Sequence, residues 1–314
     1  MPVLTQLHID VARNATDDFN PFHDPRRWKN IANNPFGGPI ALGFQLVAFA
    51  MDQVAQHRET AGQPHGLVDD GPDYGVLRFS FAGAVRPDTA LEVQVRRAND
   101  RLAEHGEISN RVLIRDGQGA PVLLGSHKDC AKPGPSKLAE PPPDLPLDRI
   151  ADRSFTPNGF FLKRKFLMTA NAKNFCTASL VPQHRYIDEL ADKVRFPASF
   201  PLALVSCALL ERARSQGHDF ERQPFIYTEH RFVVNNRLQR QLHSNQVIHL
   251  LVGPARSTEG AGGLGGSRIN SIVHDCQGVL DDGQALFEGV VTLAPLEAVL
   301  HASAADQASS IKPR

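Results

Sequence analysis

The sequence predicts an α+β chain made of one unit written twice, each unit an antiparallel sheet wrapped around one long buried helix. Three observations predict it. The halves resemble each other when slid by about 160 residues, each half holds one apolar run of helical length, and each run is followed by strand-like alternation.

The duplication rests on three anchors. "FGGPIALGFQLVAFA" (36–50) lies over "FPASFPLALVSCALL" (196–210), "RDGQG" (115–119) over "HDCQG" (274–278), and "DFNPFH" (18–23) over "SLVPQH" (179–184). Between the halves, "AKPGPSKLAEPPPDLPLD" (131–148) is too rich in proline to pack and reads as an extended linker. The expected organisation is therefore a first unit over 1–130, a linker over 131–150, a second unit over 151–300, and a disordered tail over 301–314.

Within the first unit a helix is expected to begin near Pro39. Its apolar residues, among them Ile40, Phe44, Val47, Met51 and Val54, run around the whole cylinder, so protein must enclose it. Strands are expected at 76–83, 90–97, 108–115 and 121–127; in "ALEVQVRR", Leu91, Val93 and Val95 alternate with Glu92, Gln94 and Arg96. The second unit repeats the order, with a helix over 200–214 and strands near 225–234, 246–252, 268–274 and 285–293. Asp-Gly-Gln-Gly (116–119) and Asp-Asp-Gly (281–283) supply hairpin turns.

Composition narrows the function. Lys+Arg and Asp+Glu both number 34 among 314 residues, which leaves no electrostatic footprint for nucleic acid or an anionic membrane. No apolar run reaches membrane-spanning length, and "MPVLTQLHID" is too short and polar for a secretory signal. Cys130, Cys176, Cys207 and Cys276 are far apart and form no CxxC, which argues against a disulfide scaffold or a zinc ribbon; a cytoplasmic location is expected. "GAGGLG" (260–265) fits GxGxxG formally but precedes a strand-like run, so a hairpin loop is expected rather than a nucleotide site. His243 and His249 have no carboxylate near them in sequence, and "RRWK" (26–29) is a short solvated basic run whose alternative use would be to hold phosphates. No GxSxG occurs.

One constellation could carry chemistry. "DDFNPFHDP" (17–25) places Asp18, Asn20 and His23 around Pro21, ahead of "PIALGF" (39–44), which opens the enclosed helix. Asp and Asn are ordinary cap and turn residues and Pro an ordinary helix-start residue, so the run alone fits a mere helix entrance. Together with His23 and the helix glycine it resembles the signature of the MaoC-like (R)-specific enoyl-thioester hydratases and dehydratases: Asp-x-Asn-Pro-aliphatic-His, then Pro-Ile-x-His-Gly about twenty residues on. The resemblance implies a double hot-dog fold and a hydro-lyase that adds water across a 2-enoyl thioester, or removes it. Asp18 and His23 would hold one water and transfer its proton, Asn20 would fix the loop, and the Gly43 N–H would meet the thioester carbonyl. The implied partner is an acyl-CoA or acyl-carrier-protein thioester, with neither metal nor organic cofactor. A monomer of fused repeats and a homodimer both fit.

The sequence departs from the pattern in places. Leu42 stands where the family has histidine, Phe22 is bulkier than the usual aliphatic residue, and "IANNPFGG" lengthens the spacing to Gly43. In the second unit Ser179 and Val181 replace the acid and the amide, while Pro182 and His184 persist, so a degenerate site that makes room for the acyl chain is expected. Two other readings of the same fold remain: an acyl-thioesterase using Asp18 to activate water, and a non-catalytic acyl-binding subunit.

Overall fold

The computed structural model describes residues 1–66, 68, 70–134, 146–261 and 268–302. Most of the proline-rich linker, the centre of "GAGGLG" and the tail from 303 onward lie outside them.

The first half contains strands β1 (Val3–Leu4), β2 (Tyr74–Phe81), β3 (Thr89–Val95), β4 (Asn99–Arg101), β5 (Glu107–Asp116) and β6 (Pro121–Cys130), with helices α1 (Gln6–Thr16), α2 (Gly43–Thr60) and the short α3 (Leu102–His105). The second half contains β7 (Ser154–Phe155), β8 (Phe161–Leu167), β9 (Ile187–Asp188), β10 (Lys193–Val194), β11 (Phe225–Asn235), β12 (Gln246–Val252), β13 (Arg256–Ala261), β14 (Arg268–Leu280) and β15 (Ala285–Pro295), with α4 (Thr169–Ala178), α5 (Ser199–Ser215) and the short α6 (Asn236–Gln239).

Thirteen strands form one sheet in the order β1-β3-β5-β6-β2-β11-β15-β14-β12-β8-β7, with β4 pairing β5 and β13 pairing β14 off this path. Its seam is the antiparallel pair β2–β11, where Phe79 faces His230 and Leu77 faces Phe232. The two halves therefore share a continuous hydrogen-bonded sheet, and α2 and α5 pack together against it. Among the described residues no helix is long and apolar enough to cross a membrane.

Both long helices are enclosed, as their all-round apolarity predicts: α5 buries thirteen of its residues from Ser199 to Arg212. The polar groups buried at the two ends of α2 are satisfied. Gln45 of α2 accepts from Leu42 N–H and donates to the carbonyls of His8 and Ala178, tying α1 and α4 to the helix start. At the other end, the fully buried Arg58 donates to Asn110, to Asp129 and to the carbonyls of Ile108 and His127, fixing α2 on β5 and β6. A buried guanidinium is costly unless its donors are matched in this way.

Two features differ from expectation. The helix starts at Gly43 rather than near Pro39: Ile40 and Ala41 are fixed by bonds from Ile40 N–H to Phe22 O and from Ala41 N–H to Val85 O, and the Ile40 carbonyl, which a longer helix would offer to Phe44 N–H, accepts from His23 instead. Hydrophobic periodicity also fails to predict α1 and α4. Their buried faces consist largely of small residues, Ala12 and Ala15 in one and Ala172, Cys176 and Ala178 in the other, which suits close packing of the two helices but carries a weak apolar signal.

Candidate active site

The stretch 17–25 is both a helix exit and a turn that presents a histidine. Asp17 closes α1 in the left-handed region at φ 54°, and Asp18 N–H bonds back to Arg13 O. Asn20 then caps a single 3₁₀ turn, Pro21–His23, its Oδ1 accepting from Phe22 N–H at 3.1 Å, with Pro21 at the first position, where its missing N–H costs nothing. His23 is thereby turned inward, and Arg13 reaches Asp24 at 2.8 Å to brace the turn from outside.

His23 is 4% exposed, and its Nδ1 lies 2.7 Å from Ile40 O. A carbonyl can only accept, so Nδ1 carries a proton and Nε2, in the neutral ring, carries a lone pair. Burial pushes the imidazole below its ordinary value, against the Asp18 charge, which pulls it up. A buried imidazole of this tautomer is a base at neutral pH.

His23, Asn20 and Gly43 line one cavity of about 370 Å³ at the end of the β2–β11 seam. Most of its wall is apolar, including Phe36, Leu46, Phe81, Ile226 and Leu293. Gly43 contributes the first N–H of α2, which has no intrahelical acceptor and no other backbone acceptor among the described residues. A side chain there would force its neighbours to shift: a Cβ on Gly43 would lie 2.9 Å from Phe81 Cζ and 3.3 Å from Tyr227 Cδ2.

Asp18 does not stand in the cavity wall. It is 4% exposed, and both oxygens are occupied, Oδ1 by Asn20 N–H at 2.9 Å and Oδ2 by the Ser206 hydroxyl at 2.6 Å. Because the single Ser206 proton goes to the carboxylate, the contact of 2.8 Å between Ser206 Oγ and Tyr227 must be the phenol donating to serine. Burial, and then the Asp18 charge, push the Tyr227 phenol well above its ordinary value, so it keeps its proton. The chain Tyr227–Ser206–Asp18 thus joins a residue of the cavity wall to the carboxylate beside His23.

Ser206 and Tyr227 come from α5 and β11 of the second half and are missed by sequence reasoning. The only trace is Ser206 itself, a lone hydroxyl in the apolar run "LALVSCALL". Leu42, which replaces the polar residue of the resembled pattern, is 2% exposed and packs in the main core rather than in the cavity wall. Phe22 does line the cavity and packs edge-on to Phe36.

In the second half the corresponding turn is Gln183–Arg185. His184 is exposed, the Ser179 hydroxyl is buried without a partner among the described residues, and Arg185 bridges to Asp52 and Glu59 of α2. This turn is a structural tie to the first half.

The other motifs resolve as follows. His249 is buried and does have a carboxylate, Asp281, at 3.2 Å, contrary to what its sequence neighbours suggest: the β14–β15 hairpin brings the acid to β12. No group of three or more metal-ligating side chains occurs among the described residues. The four cysteines are buried free thiols, and burial pushes those of Cys176 and Cys207 up to about 12, far from thiolate chemistry. Arg27 of the short basic run faces Glu221 at 3.5 Å. Strands β13 and β14 pair antiparallel on either side of the glycine-rich segment, whose centre is outside the described residues.

No protein-family model and no curated protein matches the chain. Solved structures do. A MaoC domain protein dehydratase from Chloroflexus aurantiacus superposes with a TM-score of 0.58 at 7% identity, covering 94% of this chain and 92% of that one. A conserved hypothetical protein of Mycobacterium tuberculosis, described as having a double hotdog fold, gives 0.57 at 10% identity over 93% and 92%. A MaoC-like dehydratase gives 0.55 at 11% identity over 94% and 95%. With two helix-wrapping antiparallel units joined edge to edge and near-complete coverage on both sides, the chain has the double hot-dog fold.

Proposed function

We propose that the protein is a hydro-lyase acting on acyl thioesters, converting a 2-enoyl thioester and water into the (3R)-hydroxyacyl thioester, or the reverse. One observation carries the reading: a neutral, oriented imidazole and an unpaired helix N-terminal N–H open onto the same largely apolar cavity. The enoyl group would lie in that cavity with its thioester oxygen at Gly43 N–H, where the helix end favours negative charge. His23 Nε2 takes a proton from water as its oxygen adds to C3. The electron pair of the double bond moves onto the thioester oxygen as an enolate, and the imidazolium returns the proton to C2. Water's two parts end on C3 and C2, and the ring is again neutral. Asp18 acts from behind, its charge favouring the imidazolium that forms. The likeness in fold to MaoC-like dehydratases supports the same reaction class.

The carboxylate's position disfavours the thioesterase alternative, since an Asp18 with both oxygens engaged and no place in the wall is poorly set to activate water against a carbonyl. Loss of enoyl absorbance with crotonyl-CoA and longer enoyl-CoA substrates tests the proposal. Hydration is expected, falling by about 10²–10⁴-fold in His23→Ala, and markedly in Asp18→Asn, while His184→Ala stays close to wild type. Release of free thiol without hydration, or an His23→Ala variant at wild-type rate, would overturn it.

A further inference from the structure

A second cavity of about 330 Å³ lies beyond the first and shares with it the wall residues Asn20, Phe22, Phe225, Tyr227 and Leu293. It runs between the last turns of α5 and strands β11 and β14. Its surface is mostly apolar, with Leu209, Leu210, Phe220 and Ile272, and among the described residues holds no Asp or Glu. Into it faces one cation, Arg212, which is only 6% exposed.

Arg212 lacks the partner that a buried guanidinium needs. Its Nη1 donates to the neutral Gln216, its Nε is buried with no acceptor, and its plane lies 5.5 Å from the Phe155 ring. The adjacent Glu211 does not help, being engaged by Arg153 at 2.9 Å and by Lys163. The contrast with Arg58, whose donors all find acceptors including the Asp129 carboxylate, is direct. His274 and His218, in the same wall, are both pushed below the ordinary imidazole value by burial, and His274 donates Nδ1–H to Gly253 O, so among the described residues Arg212 is the single positive charge there at neutral pH. An unmatched buried cation is costly, and a planar guanidinium in an apolar chamber is matched best by one carboxylate.

We propose that this chamber receives the free carboxylate at the far end of an acyl chain whose thioester sits in the first cavity, so that the substrates are monothioesters of dicarboxylic acids. This rests on the acyl-thioester reading above. The shared wall gives such a chain an apolar path from His23 and Gly43 past Tyr227. The phosphates of a carrier arm suit the chamber less well, since they bring several charges to one buried cation.

Matched saturated ligands test this without turnover: succinyl-, adipyl- and suberyl-CoA against butyryl-, hexanoyl- and octanoyl-CoA, by calorimetry. Each pair shares the coenzyme and chain length and differs by the terminal carboxylate. At the length that reaches Arg212, the dicarboxylic member is expected to bind about ten- to a hundredfold tighter, the range of a charged hydrogen bond, and Arg212→Gln to erase that difference. Equal binding within every pair by the wild type overturns the proposal. So does an Arg212→Gln variant that weakens both members alike, which would assign the guanidinium to the coenzyme phosphates. Should Arg212→Gln not fold, Arg212→Lys keeps the charge and should retain a reduced preference; its complete loss counts against the assignment. A preserved preference in a protein that hydrates nothing would keep the chamber and remove the hydro-lyase reading, whereas failure to bind any of the ligands removes both.

Discussion

The hydroxyl of Ser206 is expected to be worth far more than a typical serine in a helix. Ser206→Ala removes the donor 2.6 Å from a carboxylate that is 4% exposed and the acceptor 2.8 Å from the Tyr227 phenol. A hydrogen bond to a buried charged group contributes about 1.5–3 kcal/mol, against about 1 kcal/mol for a neutral pair. Ser206→Ala should therefore lose about 1.5–3 kcal/mol of stability and Tyr227→Phe about 1 kcal/mol. The two residues are bonded to each other, so their effects should not add: in the Ser206→Ala background, Tyr227→Phe has no bond left to break and should cost almost nothing. Denaturant midpoints of the two single variants and the double variant at pH 7.5 measure all three quantities. If Tyr227→Phe costs as much as Ser206→Ala, or the double variant shows the plain sum, the inferred direction of the relay from phenol to serine to carboxylate is wrong.

Three further outcomes follow from the structure. Gly43→Ala places a methyl group 2.9 Å from the Phe81 ring, so both aromatic neighbours must move; a loss of about 1–3 kcal/mol is expected by denaturation, together with a lower kcat/KM on any enoyl thioester. Acid should weaken the fold through buried histidines. His230, stacked 4.2 Å from Phe44, is pushed down to about 3 by burial, so the unfolded chain binds its proton first as pH falls below about 6.5. Stability from this group is complete above pH 6.5 and is lost on descending toward pH 3, with about 2 kcal/mol gone at pH 5. Thermal midpoints between pH 7.5 and 5 should show the decline, and His230→Phe should flatten it; an unchanged pH profile in that variant would refute the assignment. The His23 imidazole is lowered in the same direction, so hydration should fall only once the pH is below the ordinary imidazole range, when the base becomes protonated.

The duplication, the two enclosed helices and the alternating strands are legible in the sequence because each is a local pattern: a repeat offset, an all-apolar cylinder, a period of two. The turn around Asn20 and Pro21 is legible for the same reason, since capping depends on residues a few positions apart. The exact helix start was not, because Ile40 and Ala41 are drawn out of the helix by Phe22 and Val85, neither adjacent in sequence. Nor was the placement of Asp18 behind the cavity wall. The groups that hold it there, Ser206 and through it Tyr227, lie about 190 and 210 residues further along the chain. Arg212 looks like any arginine at the end of a helix until folding closes a chamber over it. Periodicity reports which face of an element is buried, but not which polar atoms from distant elements meet inside; that is decided only when the two halves join along the β2–β11 seam.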